Sequence, residues 1–303
     1  MNERTAVGVD AGGSSSVAAL SRGGTYERTE RGGPANPTAL GVVAAADAIA
    51  RTVLAGTGGA APSALYVGAA GAARAEIAAG LAAELRARFP ATAQLVVAGD
   101  AETALRAAIP DGPGIVLIAG TGSLAYGESA AGETARAGGW GYIYGDEGSG
   151  FALGFAAAKL LARVYDGRAR ADETSALVER ALDCNDRDGL LAALYGAPLD
   201  VTRIASLAPS ILAFAGKGNR AATKLVQGAA QELGDLIRAA AQQAGLVDSS
   251  PAIALSGGLM RENSLLSFLL ENRLTNELPG AAVVRSREEP ARAALRFAEA
   301  LPA

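Results

Sequence analysis

The first hundred residues alternate short β-favouring runs with segments whose apolar positions recur at helical spacing. Short apolar runs bounded by turn residues are typical of buried strands, and apolar repeats three or four residues apart are typical of amphipathic helices. The pattern predicts strands at 5–9, 17–20, 63–68 and 94–98, and helices at 38–55, 76–88 and 101–108. Strands that alternate with helices predict an α/β fold for this part of the chain.

A second cycle of the same pattern begins after the turn-rich segment 110–114. Predicted strands at 115–119 and 124–127 flank a glycine turn, as the first two strands do, so we expect two similar halves. From residue 148 onward the pattern is mostly helical. It predicts helices at 151–165, 174–181, 186–195, 201–215, 219–244, 263–274 and 291–300, with strands at 252–256 and 283–284.

The length of 303 residues favours two domains, because a single core rarely grows so large. We expect an N-terminal domain at 1–110 and a C-terminal domain with helical insertions at 111–289. The final helix, at about 290–303, is expected to pack back on the first domain. A cleft between the two domains is then expected.

Charge and cysteine content exclude several partners and cofactors. The formal net charge is −4, and no long basic run suggests a nucleic-acid or anionic-lipid partner. The single cysteine, Cys184, cannot form an intramolecular disulfide or the thiolate cage of an iron–sulfur cluster or structural zinc site. This cysteine usage favours a reducing compartment.

Histidine is absent, so Ser-His-Asp triads and histidine general bases are excluded. Acid–base chemistry must then use carboxylates, lysine, tyrosine or cysteine. The chain start lacks the apolar run of a signal peptide, and no stretch approaches the ~20 apolar residues of a membrane span. We therefore expect a cytoplasmic protein.

The first glycine turn carries candidate phosphate chemistry. Asp10 ends a predicted strand, and Gly12, Gly13, Ser14 and Ser15 follow it. Glycines let backbone N–H groups approach an anion, and a carboxylate beside them can hold Mg²⁺ directly or through water. The alternative is an ordinary hairpin in a glycine-rich chain. The turn is neither a Walker A loop nor a Rossmann fingerprint, because no Gly-Lys-Ser/Thr follows and a strand stands where a helix should begin.

The second turn, Gly120-Thr121-Gly122-Ser123, repeats this chemistry, so two hairpins could bind one polyphosphate. Asp100 follows the strand at 94–98, where a carboxylate would project from the sheet edge. The alternative for Asp100 is the N-cap of a helix that starts at Ala101.

Two further segments are rich in glycine. Residues 138–150 hold the only tryptophan, Trp140, between Gly139 and Gly141, followed by Asp146. Such a loop suits a flat polar ligand with vicinal hydroxyls, and the alternative is that Asp146 caps the helix that begins near Ser149. Gly257-Gly258 follows a predicted strand and could lie against a nucleotide base, or simply form a strand-to-helix turn.

In order and spacing, these motifs resemble the actin-like ATPase superfamily, and within it the N-acetylglucosamine kinase branch of the BadF/BadG/BcrA/BcrD-type family. The resemblance covers essentially the whole chain. It implies two ribonuclease-H-like domains and ATP with Mg²⁺ as co-substrate. It also implies phosphoryl transfer to an amino sugar, most simply to the 6-hydroxyl of N-acetylglucosamine.

The resemblance also implies roles for individual residues. Asp100 would be the general base, and Asp10 the Mg²⁺ ligand. Residues toward ATP would be Gly12, Gly13, Ser14, Ser15, Thr121, Gly122, Ala229, Gly257 and Gly258. Residues toward the sugar would be Asn36, Asp100, Thr121, Ser123, Gly139, Trp140, Gly141 and Asp146.

Departures from the family pattern leave alternatives open. Mammalian-type members carry Ser-Gly-Gly-Asp where this chain has Gly68-Ala-Ala-Gly71, so a hydroxyl contact near the N-acetyl group is missing. Glucosamine, N-acetylmuramic acid and glucose are alternative acceptors. A nucleotide-switched ATPase activator or sugar sensor is the alternative of another class, although the activators' cluster-binding cysteines are absent. The extent of the helical C-terminal region suggests a homodimer.

Overall fold

A computed structural model describes residues 3–260, 262–285 and 288–302. The chain forms two compact units, one of residues 1–111 and 286–303 and the other of residues 112–285. None of the helices within the described ranges is long and apolar enough to cross a membrane.

The first unit contains a five-stranded sheet. Its elements before residue 111 are β1 (Thr5–Ala11), β2 (Ser16–Arg22), β3 (Thr25–Gly32), α1 (Pro37–Leu40), α2 (Val42–Thr57), β4 (Ala64–Ala69), α3 (Ala75–Arg88), β5 (Gln94–Gly99) and α4 (Asp100–Ala108). The strand order is β3-β2-β1-β4-β5. The first three strands are antiparallel, whereas β1, β4 and β5 are parallel.

The second unit repeats this topology. Its elements are β6 (Gly114–Ala119), β7 (Ser123–Glu128), β8 (Thr134–Gly138), α5 (Gly150–Tyr165), α6 (Glu173–Leu182), α7 (Arg187–Tyr195), α8 (Val201–Ala205), α9 (Ala208–Gly216), α10 (Arg220–Gln243), β9 (Ala252–Ser256), α11 (Leu265–Glu277) and β10 (Ala282–Arg285). The strand order is β10-β9-β6-β7-β8. As in the first unit, three consecutive strands, β6, β7 and β8, are antiparallel, whereas β6, β9 and β10 are parallel. The last helix, α12 (Pro290–Ala300), belongs to the first unit.

The predicted α/β fold with two similar halves is confirmed, and the differences have local causes. β3 and β8 were not predicted, because these strands are short or largely exposed and carry polar residues where a buried strand would be apolar. The helix predicted at 38–55 is interrupted at Gly41, because the φ of 82° at this residue is incompatible with an α-helix. The helix predicted at 201–215 is likewise two helices, α8 and α9.

Both faces of β1, the central strand of the first sheet, are buried. Val7 and Val9 point to a core shared with α2 and α3, and Ala6 on the opposite face packs with α12. Gly8 belongs to the α12 face, where a Cβ atom would lie 1.9 Å from the backbone nitrogen of Leu295. The absence of a side chain at this position therefore sets how closely α12 approaches the sheet.

Replacing Gly8 with alanine should push α12 away from β1 and lower the melting temperature, because overpacking a core typically costs about 1–3 kcal/mol. Gly228→Ala is the matched control, since a Cβ atom there meets nothing within 4 Å and alanine favours a helix. Differential scanning fluorimetry of both variants tests this account of the packing. A Gly8→Ala variant as stable as the wild type would contradict it.

Candidate active site

The hairpin between β1 and β2 presents unused backbone donors. The N–H of Gly12 donates to the carbonyl oxygen of Ser15 at 2.9 Å, which closes the turn. Within the described residues, the N–H groups of Gly13, Ser14 and Ser15 donate to no acceptor, and all three residues are exposed. Such a concave set of donors is suited to an anion such as a phosphate.

Two carboxylates lie at one edge of the first sheet. Asp10 pairs in register with Gly68 of β4, and Gly68 pairs with Ala98 of β5. Asp100 follows two residues after Ala98, so both side chains lie at the carboxyl ends of parallel strands. The strands β1 and β5 are two spacings apart, or about 10 Å.

Asp100 is the first residue of α4, and Gly99 is the N-cap residue. The alternative prediction, that Asp100 caps a helix starting at Ala101, is therefore wrong. A carboxylate in the first turn is favourable, because the helix N-terminus carries a partial positive charge. Close packing below it is permitted by Gly68, where a Cβ atom would lie 2.3 Å from the hydroxyl oxygen of Thr103.

Asp10 lies in a strongly negative environment. Burial, the largest cause, and the charges of Asp100 and Glu289 together raise its pKa to about 6. A bound cation would relieve this repulsion. Mg²⁺ commonly uses one or two protein carboxylates and completes its shell with water and substrate phosphates. Among the described residues no three metal-binding side chains cluster. The single carboxylate of Asp10 fits a Mg²⁺ ion whose other ligands are water and phosphate.

The hairpin between β6 and β7 is hydrogen-bonded to the start of α5. The N–H groups of Gly150 and Phe151 donate to the carbonyl oxygens of Gly120 and Thr121 at 2.8 and 3.1 Å. The buried hydroxyl of Ser123 donates to the carbonyl oxygen of Glu147 at 2.7 Å. Within the described residues, the N–H groups of Thr121 and Gly122 have no acceptor, so this hairpin too has free donors.

Asp146 is tied to the second hairpin. Its Oδ1 accepts from the N–H of Ser123 at 3.2 Å, and a Cβ atom on Gly122 would lie 2.7 Å from that oxygen. Ser149 is the N-cap residue of α5 and accepts from the N–H of Ala152, so the alternative that Asp146 caps this helix is wrong. Burial, the largest influence, raises the pKa of Asp146, and the bond from Ser123 opposes it. No hydrogen bond to the second carboxylate oxygen occurs within the part of the chain that the structure describes.

Trp140 lies in an exposed glycine turn. Gly139 and Gly141 have φ values of 70° and 85°, and the N–H of Gly145 donates to the carbonyl oxygen of Gly141. The Trp140 side chain is 66% exposed, and its ring centroid lies 6.2 Å from that of Tyr144. Tyr144 had no assigned role in the sequence analysis, and the structure adds it to this aromatic surface.

Asn36 combines a structural contact with a free donor. It is the N-cap residue of α1, and its Oδ1 accepts from the N–H groups of Thr38 and Ala39 at 2.8 and 3.3 Å. Its side-chain NH₂ group donates to no described residue. Gly71 lies against this cap, since a Cβ atom there would be 2.6 Å from the Asn36 oxygen. The Asn36-Pro37 pair is a cap signal that the sequence analysis missed.

The three residues predicted near adenosine differ in their surroundings. Gly258 lines a cavity of about 300 Å³ with residues of α9, of the segment before α11 and of the first position of α11, namely Pro209, Leu212, Ala213, Gly216, Leu259, Glu262, Asn263, Ser264 and Leu265. Gly257 has a φ of 96° and lies directly on the end of β6. Ala229 is buried within α10, with its carbonyl oxygen against Gly148, and does not line this cavity. The α9 residues carry no motif, so the sequence could not indicate them.

The duplicated sheets, each with a glycine hairpin after its first strand, define an α/β protein of the actin-like ATPase fold. A crystal structure of a candidate N-acetylglucosamine kinase from Chromobacterium violaceum superimposes with a TM-score of 0.78 at 27% identity, covering 97% of this chain and 99% of that one. The model of the BadF/BadG/BcrA/BcrD ATPase family matches residues 7–298, and the chain belongs to this family.

Two curated relatives match over shorter stretches. One is the N-acetylmuramic acid/N-acetylglucosamine kinase of Clostridium acetobutylicum, 28% identical over 198 residues, which are 65% of each chain. The other is the N-acetyl-D-glucosamine kinase of Dictyostelium discoideum, 25% identical over 187 residues, which are 61% of this chain and 59% of that one. The matched segment therefore spans less than two thirds of either relative.

The pKa of Asp10 predicts how stability depends on pH. Because the folded-state pKa of about 6 lies above the ordinary value near 3.9, the free energy of unfolding should fall as pH rises through this interval. Asp10→Asn should remove that loss and stabilise the metal-free protein at pH 8 by up to about 3 kcal/mol, with little effect at pH 4.

Thermal unfolding at the two pH values measures the difference, with the exposed Asp111→Asn as control. An equal gain at both pH values, or no gain at pH 8, would refute the electrostatic account. The control variant should change stability little at either pH.

Proposed function

We propose that this protein is a Mg²⁺-ATP-dependent sugar kinase. The observation that carries the proposal is the placement of Asp10 and Asp100 at one sheet edge, beside a hairpin with three unused N–H donors. Phosphoryl transfer requires mainly positioning and charge stabilisation, with a carboxylate to orient the acceptor and take its proton. The names of the relatives favour a sugar as the acceptor.

The nucleotide is proposed to bind through both hairpins. The N–H groups of Gly13, Ser14 and Ser15 donate to one part of the triphosphate, and Gly12 closes the turn that presents them. Thr121 and Gly122 donate to another part. The cavity at Gly258 receives the adenosine, with Gly257 holding the turn that shapes it. Asp10 holds Mg²⁺, which neutralises charge on the phosphates. Ala229 supports this site only through packing on the Gly148 turn.

The sugar is proposed to bind through polar side chains of the candidate site. Asp100 accepts the proton of the attacking hydroxyl, Asp146 accepts from a second hydroxyl through its free oxygen, and the Asn36 NH₂ group donates to a sugar oxygen. Gly139 and Gly141 shape the exposed turn that presents Trp140 to the ring. Ser123 can contribute only by accepting, since its hydroxyl hydrogen is already donated to Glu147.

N-acetylglucosamine is the first acceptor to test, with transfer to its 6-hydroxyl. N-acetylmuramic acid is the second, because it appears in the name of the Clostridium acetobutylicum relative. An ATP-consumption assay with these two sugars, glucosamine and glucose would rank them. Hydrolysis that no sugar stimulates would favour a sensor or activator instead.

Asp100→Asn keeps the shape of the side chain but removes the proton acceptor. We expect turnover to fall by about 10²–10⁴-fold while Mg·ADP affinity stays near that of the wild type, since general-base catalysis is worth that much. Steady-state kinetics and calorimetric titration give the two quantities. Turnover close to the wild-type rate would exclude Asp100 as the base.

Asn36→Asp separates the structural role of Asn36 from its proposed role in binding. Aspartate caps a helix as well as asparagine but offers no NH₂ donor. We expect an unchanged melting temperature and a KM for the sugar raised about 3- to 10-fold, the value of one neutral hydrogen bond. Asn36→Ala, which also loses the cap, should lower the melting temperature as well. A wild-type KM in Asn36→Asp would show that the amide does not contact the sugar.

A further inference from the structure

Asp10 belongs to a cross-strand row that also contains an arginine. Asp10 of β1 pairs with Val17 of β2, and Val17 pairs with Arg31 of β3. Directly paired residues of antiparallel strands point to the same face of a sheet. Arg31 therefore shares the face and the level of Asp10, about two strand spacings away.

The neighbours of this row confirm which face it occupies. Gly8, two residues before Asp10, faces α12, whereas Gly32, one residue after Arg31, faces Thr52 of α2. Because side chains alternate along a strand, both Asp10 and Arg31 lie on the α12 side. The row ends next to the hairpin, since β2 begins at Ser16, immediately after the free donors.

Arg31 is held by an exposed ion pair. Its Nη2 lies 2.9 Å from Oε1 of Glu289, the N-cap residue of α12, and the two side chains are 68% and 52% exposed. The charge of Glu289 also contributes to the raised pKa of Asp10. Ion pairs this exposed contribute little, about 0–1 kcal/mol.

We propose that Arg31 is a phosphate-binding residue for the nucleotide, which leaves Glu289 when the nucleotide binds. This inference rests on the proposed function. Asp10, Asp100 and Glu289 place three negative charges near the hairpin, and a polyphosphate adds more. A guanidinium can bind two phosphate oxygens at once, a stronger contact than the exposed pair it replaces. In the nucleotide-free state Glu289 keeps Arg31 close to the hairpin.

Binding of ADP and of adenosine, measured by calorimetry with Mg²⁺ present, separates this role from a structural one. Arg31→Gln should weaken ADP binding about tenfold or more and leave adenosine binding unchanged, since only ADP carries phosphates. Arg28→Gln is the matched control, because Arg28 is exposed on the same strand but pairs with Leu20, which faces the α2 core. Its affinity for both ligands should equal that of the wild type.

Glu289→Gln tests whether Arg31 exchanges its partner Glu289 for a phosphate of the nucleotide. Freed from its partner, Arg31 should bind ADP up to about fivefold more tightly, the value of an exposed ion pair. This gain should vanish in the double variant with Arg31→Gln. A gain that persists without Arg31 would overturn the exchange.

Two other results would count against the assignment in distinguishable ways. Unchanged ADP affinity in Arg31→Gln, or an equal loss of ADP and adenosine, would overturn the role of Arg31 alone. A wild-type protein that binds neither ligand would overturn the proposed function, and this inference with it.

Discussion

The register of β1, β4 and β5 brings two like-charged side chains, Asp10 and Asp100, to one sheet edge. Burial and mutual repulsion raise the pKa of Asp10 to about 6. Ionisation of Asp10 therefore lowers the free energy of unfolding of the metal-free protein. Apolar packing on both faces of β1 holds Asp10 in this position. The valines of β1 pack on one face, and α12 packs against Gly8 on the other. A bound cation is the ligand that would relieve this repulsion.

The two units share one topology, but their glycine hairpins differ in the contacts around them. The hairpin at Gly12–Ser15 is bordered by charged side chains, and its Gly12 carbonyl oxygen accepts from the N–H of Ala35 at 3.0 Å. The hairpin at Gly120–Gly122 accepts from two N–H groups at the start of α5, and the next residue, Ser123, donates to Asp146. Within the described residues the first hairpin leaves the N–H groups of Gly13, Ser14 and Ser15 unused, and the second leaves those of Thr121 and Gly122 unused.

Sequence reasoning identified the α/β fold and both hairpins because glycine turns between apolar runs are local signals. It missed β3, whose polar residues suit an exposed edge strand, and so it missed the row that joins Asp10 to Arg31. The α9 wall of the cavity at Gly258 depends on tertiary packing alone. The N-cap residues of α4 and α5 are Gly99 and Ser149, whereas Asp100 and Asp146 were the alternatives expected from the sequence. Only backbone geometry can distinguish cap residues so close together along the chain.

The most direct test of the account is a crystal structure with Mg²⁺, a non-hydrolysable ATP analogue and N-acetylglucosamine. The account predicts that a carboxylate oxygen of Asp100 lies within hydrogen-bond distance of the 6-hydroxyl, and that this hydroxyl is in line with the terminal phosphorus. It also predicts Mg²⁺ on the Asp10 side of the phosphates. A sugar bound away from Asp100, or a nucleotide that contacts neither hairpin, would contradict it.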